Sequence, residues 1–142
     1  MNSLRSGCRV NSEVVTLVKG RHIYGELYGS PSDLLDNEEF LTKTVVRAAE
    51  HGTTTILEVK HWRVGGEHGG VSVLALVVES HIAIHTWPGN NYATVDVYTC
   101  GDRSDPWKVF YYIVNALKPK HYVVHYSDRS QLPLYESSDI PT

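Results

Sequence analysis

The sequence lacks the features that mark membrane, secreted and nucleic-acid-binding proteins. Its longest uninterrupted apolar run, residues 73–78, is far shorter than the roughly 20 residues that a transmembrane helix needs. The first ten residues contain no apolar segment of the kind found in signal peptides. The 13 basic residues are fewer than the 16 acidic ones, the net charge is −3, and lysine and arginine do not cluster. We therefore expect neither a membrane nor a nucleic-acid partner.

Cysteine is also scarce, with only Cys8 and Cys100 in the chain. Because Cys8 lies in a polar N-terminal segment, we expect no structural disulfide and predict a reduced, cytoplasmic protein. The 142 residues, 42% hydrophobic and 20% charged, have the size and composition of one globular domain. We predict a single domain over residues 1–142.

Strand and helix signals follow one another in the order β-α-β-β-β-β-α-β. The first helix is predicted to start from an N-cap at Asp36, with Glu39 as its capping-box partner, and to end at Gly52. The second starts at Asp105 and Pro106. The first strand is predicted to end near residue 28, and the other five strands to span residues 53–64, 71–78, 81–87, 92–100 and 120–126. Because hairpins dominate, we predict an α+β fold, a mainly antiparallel sheet with two helices on one face.

The stretch V-V-E-S-H-I-A-I-H-T-W-P, residues 77–88, places reactive groups where a strand should continue. If Trp87 faces Tyr92 across the turn at residues 88–91, directly paired residues share one face of the sheet. Polar and aromatic side chains then line one face, namely Glu79, His81, His85, Trp87, Asp96, Tyr98 and Cys100. Apolar side chains line the other, namely Ile82, Ile84, Val95 and Val97. The first face has the composition of a functional site, and the second that of a core.

The same register places Cys100 beside the Glu79-Ser80 peptide bond but leaves His85 on the order of 20 Å away from it. Either the register breaks, or His85 serves Ser80 of a second subunit. A two-fold dimer that pairs equivalent faces would bring the two groups together, and we favour that arrangement.

Simpler explanations exist for each reactive residue. His81 and His85 would be about 13 Å apart on a strand, so a metal site formed by this pair is not expected. A lone cysteine such as Cys100 is more often a buried structural thiol. Ser80 lacks the G-x-S-x-G sequence of a hydrolase nucleophile, and Trp87, like other aromatic residues, commonly serves packing.

At E-S-H-I-A-I-H-T-W-P, followed by Y-A-T-V-D-V-Y-T-C-G, the chain resembles the prokaryotic S-adenosylmethionine decarboxylase family of pyruvoyl enzymes. The resemblance extends from about Arg21 to Arg129 and includes G-V-S at residues 70–72 and D-P-W-K at residues 105–108. It implies a proenzyme that cleaves its own Glu79-Ser80 bond into a β chain of residues 1–79 and an α chain of residues 80–142. Ser80 becomes a covalent pyruvoyl cofactor, which binds a substrate amine as a Schiff base and withdraws electrons while CO₂ leaves.

The resemblance also implies roles for individual residues. Ser72 and His85 assist the cleavage, His85 by proton transfer, and Cys100 protonates the substrate carbon after decarboxylation. The site lies between two protomers, Ser72 and His85 reaching from the partner, and the protomers pair sheet on sheet as an αββα sandwich homodimer.

Two departures from the family pattern bear on the substrate. Gly89 replaces the acidic residue of H-T-W-P-E, which is suited to ribose hydroxyls, and residues 65–70 lack an aromatic side chain suited to adenine. The segments H-W-R-V-G-G-E-H-G-G-V-S and V-H-Y-S-D-R-S resemble the crenarchaeal pyruvoyl-dependent arginine decarboxylases, which make agmatine for polyamine synthesis, more than they resemble the adenosylmethionine-specific members. We therefore expect arginine as the substrate, with S-adenosylmethionine as the alternative if His68 stacks on adenine.

Candidate substrate-binding residues follow from the chemistry of a guanidinium, which pairs with carboxylates and aromatic faces. They are Glu67, His68, Trp87 and Asp96, with Asp128 as a further carboxylate. A non-catalytic ligand-binding dimer is a competing interpretation, but it would be expected to have lost Ser80, His85 or Cys100, and all three are present.

Overall fold

The computed structural model describes residues 17–131 as one six-stranded sheet with three helices. The elements are β1 (Gly20–Tyr28), α1 (Ser32–Leu35), α2 (Glu38–His51), β2 (Ile56–Val64), β3 (Gly70–Val77), β4 (Ser80–Trp87), β5 (Tyr92–Cys100), α3 (Pro106–Leu117) and β6 (His121–Asp128). The strand order is β2-β3-β4-β5-β1-β6, and each neighbouring pair is antiparallel. The predicted α+β class is therefore confirmed, with the short helix α1 as an addition.

The predicted start of the first long helix was wrong by one residue. Asn37 is the N-cap of α2, and its side chain accepts a hydrogen bond from the N–H of Phe40. Asp36 instead receives two hydrogen bonds from the Arg63 guanidinium, which hold the pKa of Asp36 below its ordinary value. Glu39 pairs with Lys43 one turn along the helix rather than closing a capping box. Asp36 had a stronger partner on β2, which local sequence does not reveal.

The second long helix begins as predicted. Asp105 is the N-cap of α3, and its carboxylate accepts hydrogen bonds from the N–H groups of Trp107 and Lys108. Pro106 occupies the first turn, where its missing N–H leaves no helical hydrogen bond unmade.

Helices α2 and α3 pack on one face of the sheet, because each has an apolar stripe that matches the inward side of the strands. The stripes comprise Leu41, Val45, Ala48 and Ala49 of α2 and Val109, Phe110, Ile113 and Leu117 of α3. The strands contribute every second residue, including Ile23, Leu27, Val73, Ala75, Ile82, Ile84, Val95 and Val97. Burying each large apolar side chain contributes about 1.5–3 kcal/mol before entropy is subtracted. No helix in the described part of the chain could span a bilayer.

The opposite face of the sheet, here called the open face, carries the alternate side chains. Its central part comprises His22, Tyr24 and Glu26 of β1, Ser72, Leu74 and Leu76 of β3, His81, Ala83 and His85 of β4, and Thr94, Asp96 and Tyr98 of β5. The predicted division of the β4–β5 hairpin into a polar and an apolar face is confirmed along these strands. Only Glu79 and Cys100 differ, because both lie buried at the end of the hairpin.

Candidate active site

Glu79 lies in the two-residue turn that joins β3 to β4. Ser80, the first residue of β4, has a φ angle of 150°, a backbone conformation that side-chain-bearing residues rarely adopt and that costs on the order of 1–3 kcal/mol. The backbone of Thr55 fixes the turn from the side. Its carbonyl accepts a 2.8 Å hydrogen bond from the N–H of Val78, and its N–H donates to Glu79 Oε2 at 3.1 Å. The Glu79-Ser80 peptide bond is therefore both strained and held in place.

The carbonyl oxygen of Glu79 accepts a hydrogen bond of 3.0 Å from the N–H of Cys100. Both residues are buried, so this N–H polarises the carbonyl with little competition from water. If a nucleophile adds to the Glu79 carbonyl carbon, the same N–H is placed to stabilise the negative charge that develops on the oxygen.

The chain after Cys100 is fixed by hydrogen bonds to its backbone. The Ser104 hydroxyl donates to the Cys100 carbonyl at 3.2 Å. The Arg21 guanidinium, from β1, donates to the carbonyls of Gly101 and Ser104 at 3.3 and 2.5 Å. Arg21 thus links the loop to the sheet and limits the movement of Cys100.

Cys100 is disulfide-bonded rather than a free thiol, so the expectation of a reduced cysteine at this position was wrong. That expectation depended on the polar sequence around Cys8, and the polarity of a segment does not determine whether its cysteine is oxidised. Cys8 itself falls outside the described residues.

A second pair of reactive groups lies further along the sheet. Ser72 of β3 and His85 of β4 are direct register partners, and the Ser72 Oγ is 2.8 Å from the His85 Nδ1. A hydroxyl bound to an imidazole in this way is suited to transferring a proton. The family resemblance implied that both residues assist the cleavage, and the structure brings them together.

The Ser72–His85 pair is the last one in the β3–β4 ladder, and Thr86 holds the strands together beyond it. The buried Thr86 hydroxyl accepts a 3.0 Å hydrogen bond from the N–H of Val71 and donates one of 2.7 Å to the carbonyl of Leu35. The side chain of Thr86 therefore fixes the position of the residues adjacent to both members of the pair.

Ser80 and His85 remain far apart within one chain. They lie five residues apart on β4, whose register with both neighbouring strands is continuous, so about 17 Å separates them. Of the two explanations that the sequence left open, a break in the register is excluded.

A cavity of 670 Å³ lies on the open face beside His85. Its lining includes Leu74, Leu76, His81, Asp96 and Glu26. The size is that of a pocket for a small ligand.

Asp96, in this cavity, accepts hydrogen bonds from two histidines on either side. His22 Nε2 is 2.9 Å from one carboxylate oxygen, and His81 Nε2 is 3.1 Å from the other. Partial burial acts to raise the pKa of Asp96, but the hydrogen bonds from His81 and His22 outweigh it and hold that pKa below its ordinary value. Asp96 is thus an ionised carboxylate near neutral pH, suited to binding a cation. Within residues 17–131, His, Cys, Asp and Glu side chains do not converge in groups of three that could hold a metal ion.

The family described as S-adenosylmethionine decarboxylase matches residues 21–130. The chain belongs to this family. The matched range contains the Glu79-Ser80 turn, Cys100 and the Ser72–His85 pair, so the resemblance drawn from the E-S-H and T-C-G motifs is confirmed.

Curated relatives within the S-adenosylmethionine decarboxylase family carry a more specific name. The chain is 56% identical to the arginine decarboxylase proenzyme of Hyperthermus butylicus, over 87% of each chain. It is 59% identical to the protein of the same name from Ignicoccus hospitalis, over 80% of this chain and 78% of the relative. Among solved structures, the adenosylmethionine decarboxylase of Aquifex aeolicus has a TM-score of 0.75 and 31% identity, covering 85% of this chain and 98% of that one.

The remaining predicted substrate-binding residues lie away from the Glu79-Ser80 turn. Glu67 and His68 are exposed in the turn between β2 and β3, and the Glu67 carbonyl lies beside Gly89. Trp87 packs against Tyr92 at the same end of the sheet. Trp87 lies seven positions after Ser80 on β4, so the distance within one chain is about 23 Å. Asp96, half-way along β5, is the candidate nearest to the centre of the open face.

Sequence reasoning missed several residues of this site. His22 reaches Asp96 only because β1 inserts beside β5, a pairing between residues more than seventy positions apart. Thr55 binds the turn at residues 78–79 through its own backbone, and Thr86 binds the backbone of Val71 through its hydroxyl, both across gaps in sequence that local patterns do not reveal. The alternation of polar and apolar residues in β1 was the one available signal, since it places His22 on the polar face.

Proposed function

We propose that the protein is a self-processing, pyruvoyl-dependent decarboxylase of polyamine biosynthesis that converts L-arginine to agmatine and CO₂. The observation that carries the proposal is the Glu79-Ser80 peptide bond, strained at Ser80 and polarised at Glu79 by the N–H of Cys100. The names of the relatives, arginine decarboxylase proenzymes at 53–59% identity, support both the self-cleavage and the substrate.

Processing begins with an N-to-O acyl shift. Ser80 Oγ forms a bond to the Glu79 carbonyl carbon, the bond from that carbon to the Ser80 nitrogen breaks, and the hydroxyl proton ends on the nitrogen. The strain at Ser80 favours this step, because breaking the peptide bond relieves it. The Cys100 N–H stabilises the oxygen that becomes negative on the way.

A β-elimination then separates the chains. A proton leaves the Ser80 Cα, the Cβ–Oγ bond breaks, and Glu79 departs as the carboxylate terminus of residues 1–79. The dehydroalanine left behind takes up a proton at Cβ and becomes an imine, and addition of water to this imine releases ammonia and leaves a pyruvoyl group at the start of residues 80–142. We assign proton transfer in these steps to His85, with Ser72 orienting its ring.

The surroundings of Ser80 fit a pyruvoyl group. Ser80 is only partly buried, so a carbonyl there is accessible to a small amino acid, while buried Cys100 lies next to the adjacent turn. When present, the group supplies an electron-withdrawing ketone that lets a bound amino acid lose CO₂. Cys100 then protonates the substrate carbon, which requires its thiol form, so we place the reaction in the reducing cytoplasm.

His85 serves the partner's Ser80 in a homodimer of processed protomers that share their active sites. The separation of about 17 Å within one chain supports this arrangement. The open face also has apolar side chains to bury between two sheets, since Leu76 is 53% and Trp62 50% exposed.

Arginine fits the site better than S-adenosylmethionine does. Asp96 is a carboxylate in the cavity, suited to a guanidinium. Gly89 offers no side-chain acceptor for ribose hydroxyls, and the exposed turn that holds Glu67 and His68 carries no phenylalanine, tyrosine or tryptophan to stack on adenine. S-adenosylmethionine is the second candidate, because the structural relative from Aquifex aeolicus bears that name at 31% identity.

The test has two parts. Mass spectrometry of purified protein should find residues 80–142 beginning with a pyruvoyl group, and Ser80→Ala should remain one chain. The processed protein is then given carboxyl-labelled L-arginine or S-adenosylmethionine, and released CO₂ is counted. Release from arginine alone supports the proposal. Release of CO₂ from S-adenosylmethionine alone would refute arginine as the substrate, and an intact wild-type chain would refute the self-processing.

A further inference from the structure

We propose that the hydroxyl of Thr99 takes part in the self-cleavage, by donating a hydrogen bond to Ser80 Oγ as the Cβ–Oγ bond breaks. Thr99 is fully buried, and its hydroxyl makes no hydrogen bond to any described residue. It is also the direct register partner of Ser80 across the β4–β5 ladder. The inference rests on the proposed function and adds a residue to it.

The register brings the two side chains close together. The hydrogen bond from Cys100 N–H to the Glu79 carbonyl makes Glu79 and Cys100 a hydrogen-bonded pair, so the next pair, Ser80 and Thr99, is of the non-hydrogen-bonded kind. In such pairs the Cβ atoms lie only about 4.5–5.5 Å apart on the same face. A hydroxyl on each Cβ is then within hydrogen-bonding reach of the other.

The neighbour on the other side of Thr99 is already engaged. Arg21 of β1 pairs with Thr99, but its guanidinium donates to the carbonyls of Gly101 and Ser104. Arg21 also has no acceptor atom to offer a hydroxyl. Ser80 Oγ is therefore the partner that the fold leaves for Thr99.

A buried hydroxyl without a partner costs free energy in the uncleaved chain. A hydrogen bond that forms only during the reaction recovers this cost in the transition state, which is the condition for a rate enhancement. The unpaired state of Thr99 is thus what a group of the cleavage machinery should show before cleavage.

The chemistry determines which step benefits. After the acyl shift, Ser80 Oγ is the ester oxygen, and it becomes one of the two oxygens of the departing Glu79 carboxylate. The Cys100 N–H already contacts the other oxygen at 3.0 Å. When the Cα proton leaves and the Cβ–Oγ electrons move to Oγ, the Thr99 O–H stabilises that charge, and Thr99 keeps its own proton.

The experiment compares Thr99→Val, which keeps the shape of the side chain, with Thr99→Ser, which keeps the hydroxyl. Each chain is made by cell-free synthesis, and the appearance of residues 80–142 is followed with and without hydroxylamine, which cleaves the ester. We expect Thr99→Val to form the pyruvoyl chain about 10- to 100-fold more slowly and to accumulate a hydroxylamine-sensitive ester. Thr99→Ser should stay within about threefold of the wild type.

Thermal unfolding separates this role from a structural one, because removing an unpaired buried hydroxyl should leave stability unchanged or raise it. Ser30, whose buried hydroxyl is also unpaired, provides the control: Ser30→Ala should change stability in the same direction without slowing cleavage. If Thr99→Val does not fold, Thr99→Ala takes its place. Cleavage of the folded variant at the wild-type rate, with no ester, would overturn the inference. An uncleaved wild-type chain would instead overturn the proposed function.

Discussion

Ser80 and His85 lie on one strand of one chain at a separation that forbids direct contact, so mixing two inactive variants tests whether they meet between protomers. Ser80→Ala cannot form the cofactor but keeps His85. His85→Ala keeps Ser80 but lacks the proton-transferring ring. In a heterodimer of the two, one site combines intact Ser80 with the partner's intact His85, and the other site lacks both groups.

The expected yield follows from the structure and from random pairing. Five residues of β4 span about 17 Å, whereas a proton transfer needs roughly 3 Å, so no His85→Ala chain should be rescued by its own residues. When equal amounts of the two chains pair at random, about half of the His85→Ala chains have a Ser80→Ala partner. About half of the His85→Ala chains should therefore cleave, and no Ser80→Ala chain should.

The assay is co-expression of the two variants with different affinity tags, followed by separation of the cleaved fragments by mass. His85→Ala and Ser80→Ala expressed alone provide the background. Addition of a Ser72→Ala substitution to the Ser80→Ala chain should lower the rescue, because Ser72 orients His85. If the co-expressed His85→Ala chains stay intact while the wild type cleaves, sharing of the site between protomers is refuted.

Three further predictions concern individual residues. Because the folded-state pKa of Asp96 lies below its ordinary value, its ionised form should stabilise the fold at neutral pH and lose that effect as the pH falls through the lowered pKa. In urea unfolding, Asp96→Asn should therefore be about 1 kcal/mol less stable at pH 6, a figure already reduced for partial exposure, and equal stabilities there would contradict this. Thr86→Val should lower the free energy of unfolding by about 2–3 kcal/mol, because it leaves the N–H of Val71 and the carbonyl of Leu35 unpaired in the interior. Thr86→Ser keeps the hydroxyl and should change that free energy little. Both variants are compared by chemical denaturation in the non-cleaving Ser80→Ala background. Cys100→Ser should still cleave itself but release CO₂ from arginine at least about tenfold more slowly than the wild type. The wild type should need a thiol reductant for CO₂ release, because Cys100 is disulfide-bonded. Full activity without a reductant would show that Cys100 does not act as a thiol.

The β4–β5 hairpin could be predicted from sequence because its register depends on local information. The turn after Trp87 and the two-residue period fix which side chains face one another, and the pairings of His81 with Tyr98 and His85 with Thr94 follow. The position of Ser72 beside His85 was expected only from the family resemblance, since it depends on the β3–β4 register.

The other parts of the fold and of the site could not be predicted from sequence, because they depend on pairing between residues that are distant in the chain. The strand β1 lies between β5 and β6, far from both in sequence, and so the contact of His22 with Asp96 has no local signal. The helix start at Asn37 was missed for a related reason, because Asp36 is drawn to Arg63 on an adjacent strand. Backbone strain at Ser80 is likewise a product of the closed turn and not of the residue's own preference.

The turn at Glu79 is also the peptide connection between β3 and β4, which are neighbouring strands of the sheet. If its peptide bond is cut as proposed and the disulfide of Cys100 is reduced, a hairpin within one chain becomes an association of two chains. The uncut chain folds in a reaction that does not depend on concentration, but the cut protein, once unfolded, must find its other half by diffusion. Refolding of the cut protein under reducing conditions should therefore slow on dilution, and the proposed cleavage has to follow folding rather than precede it.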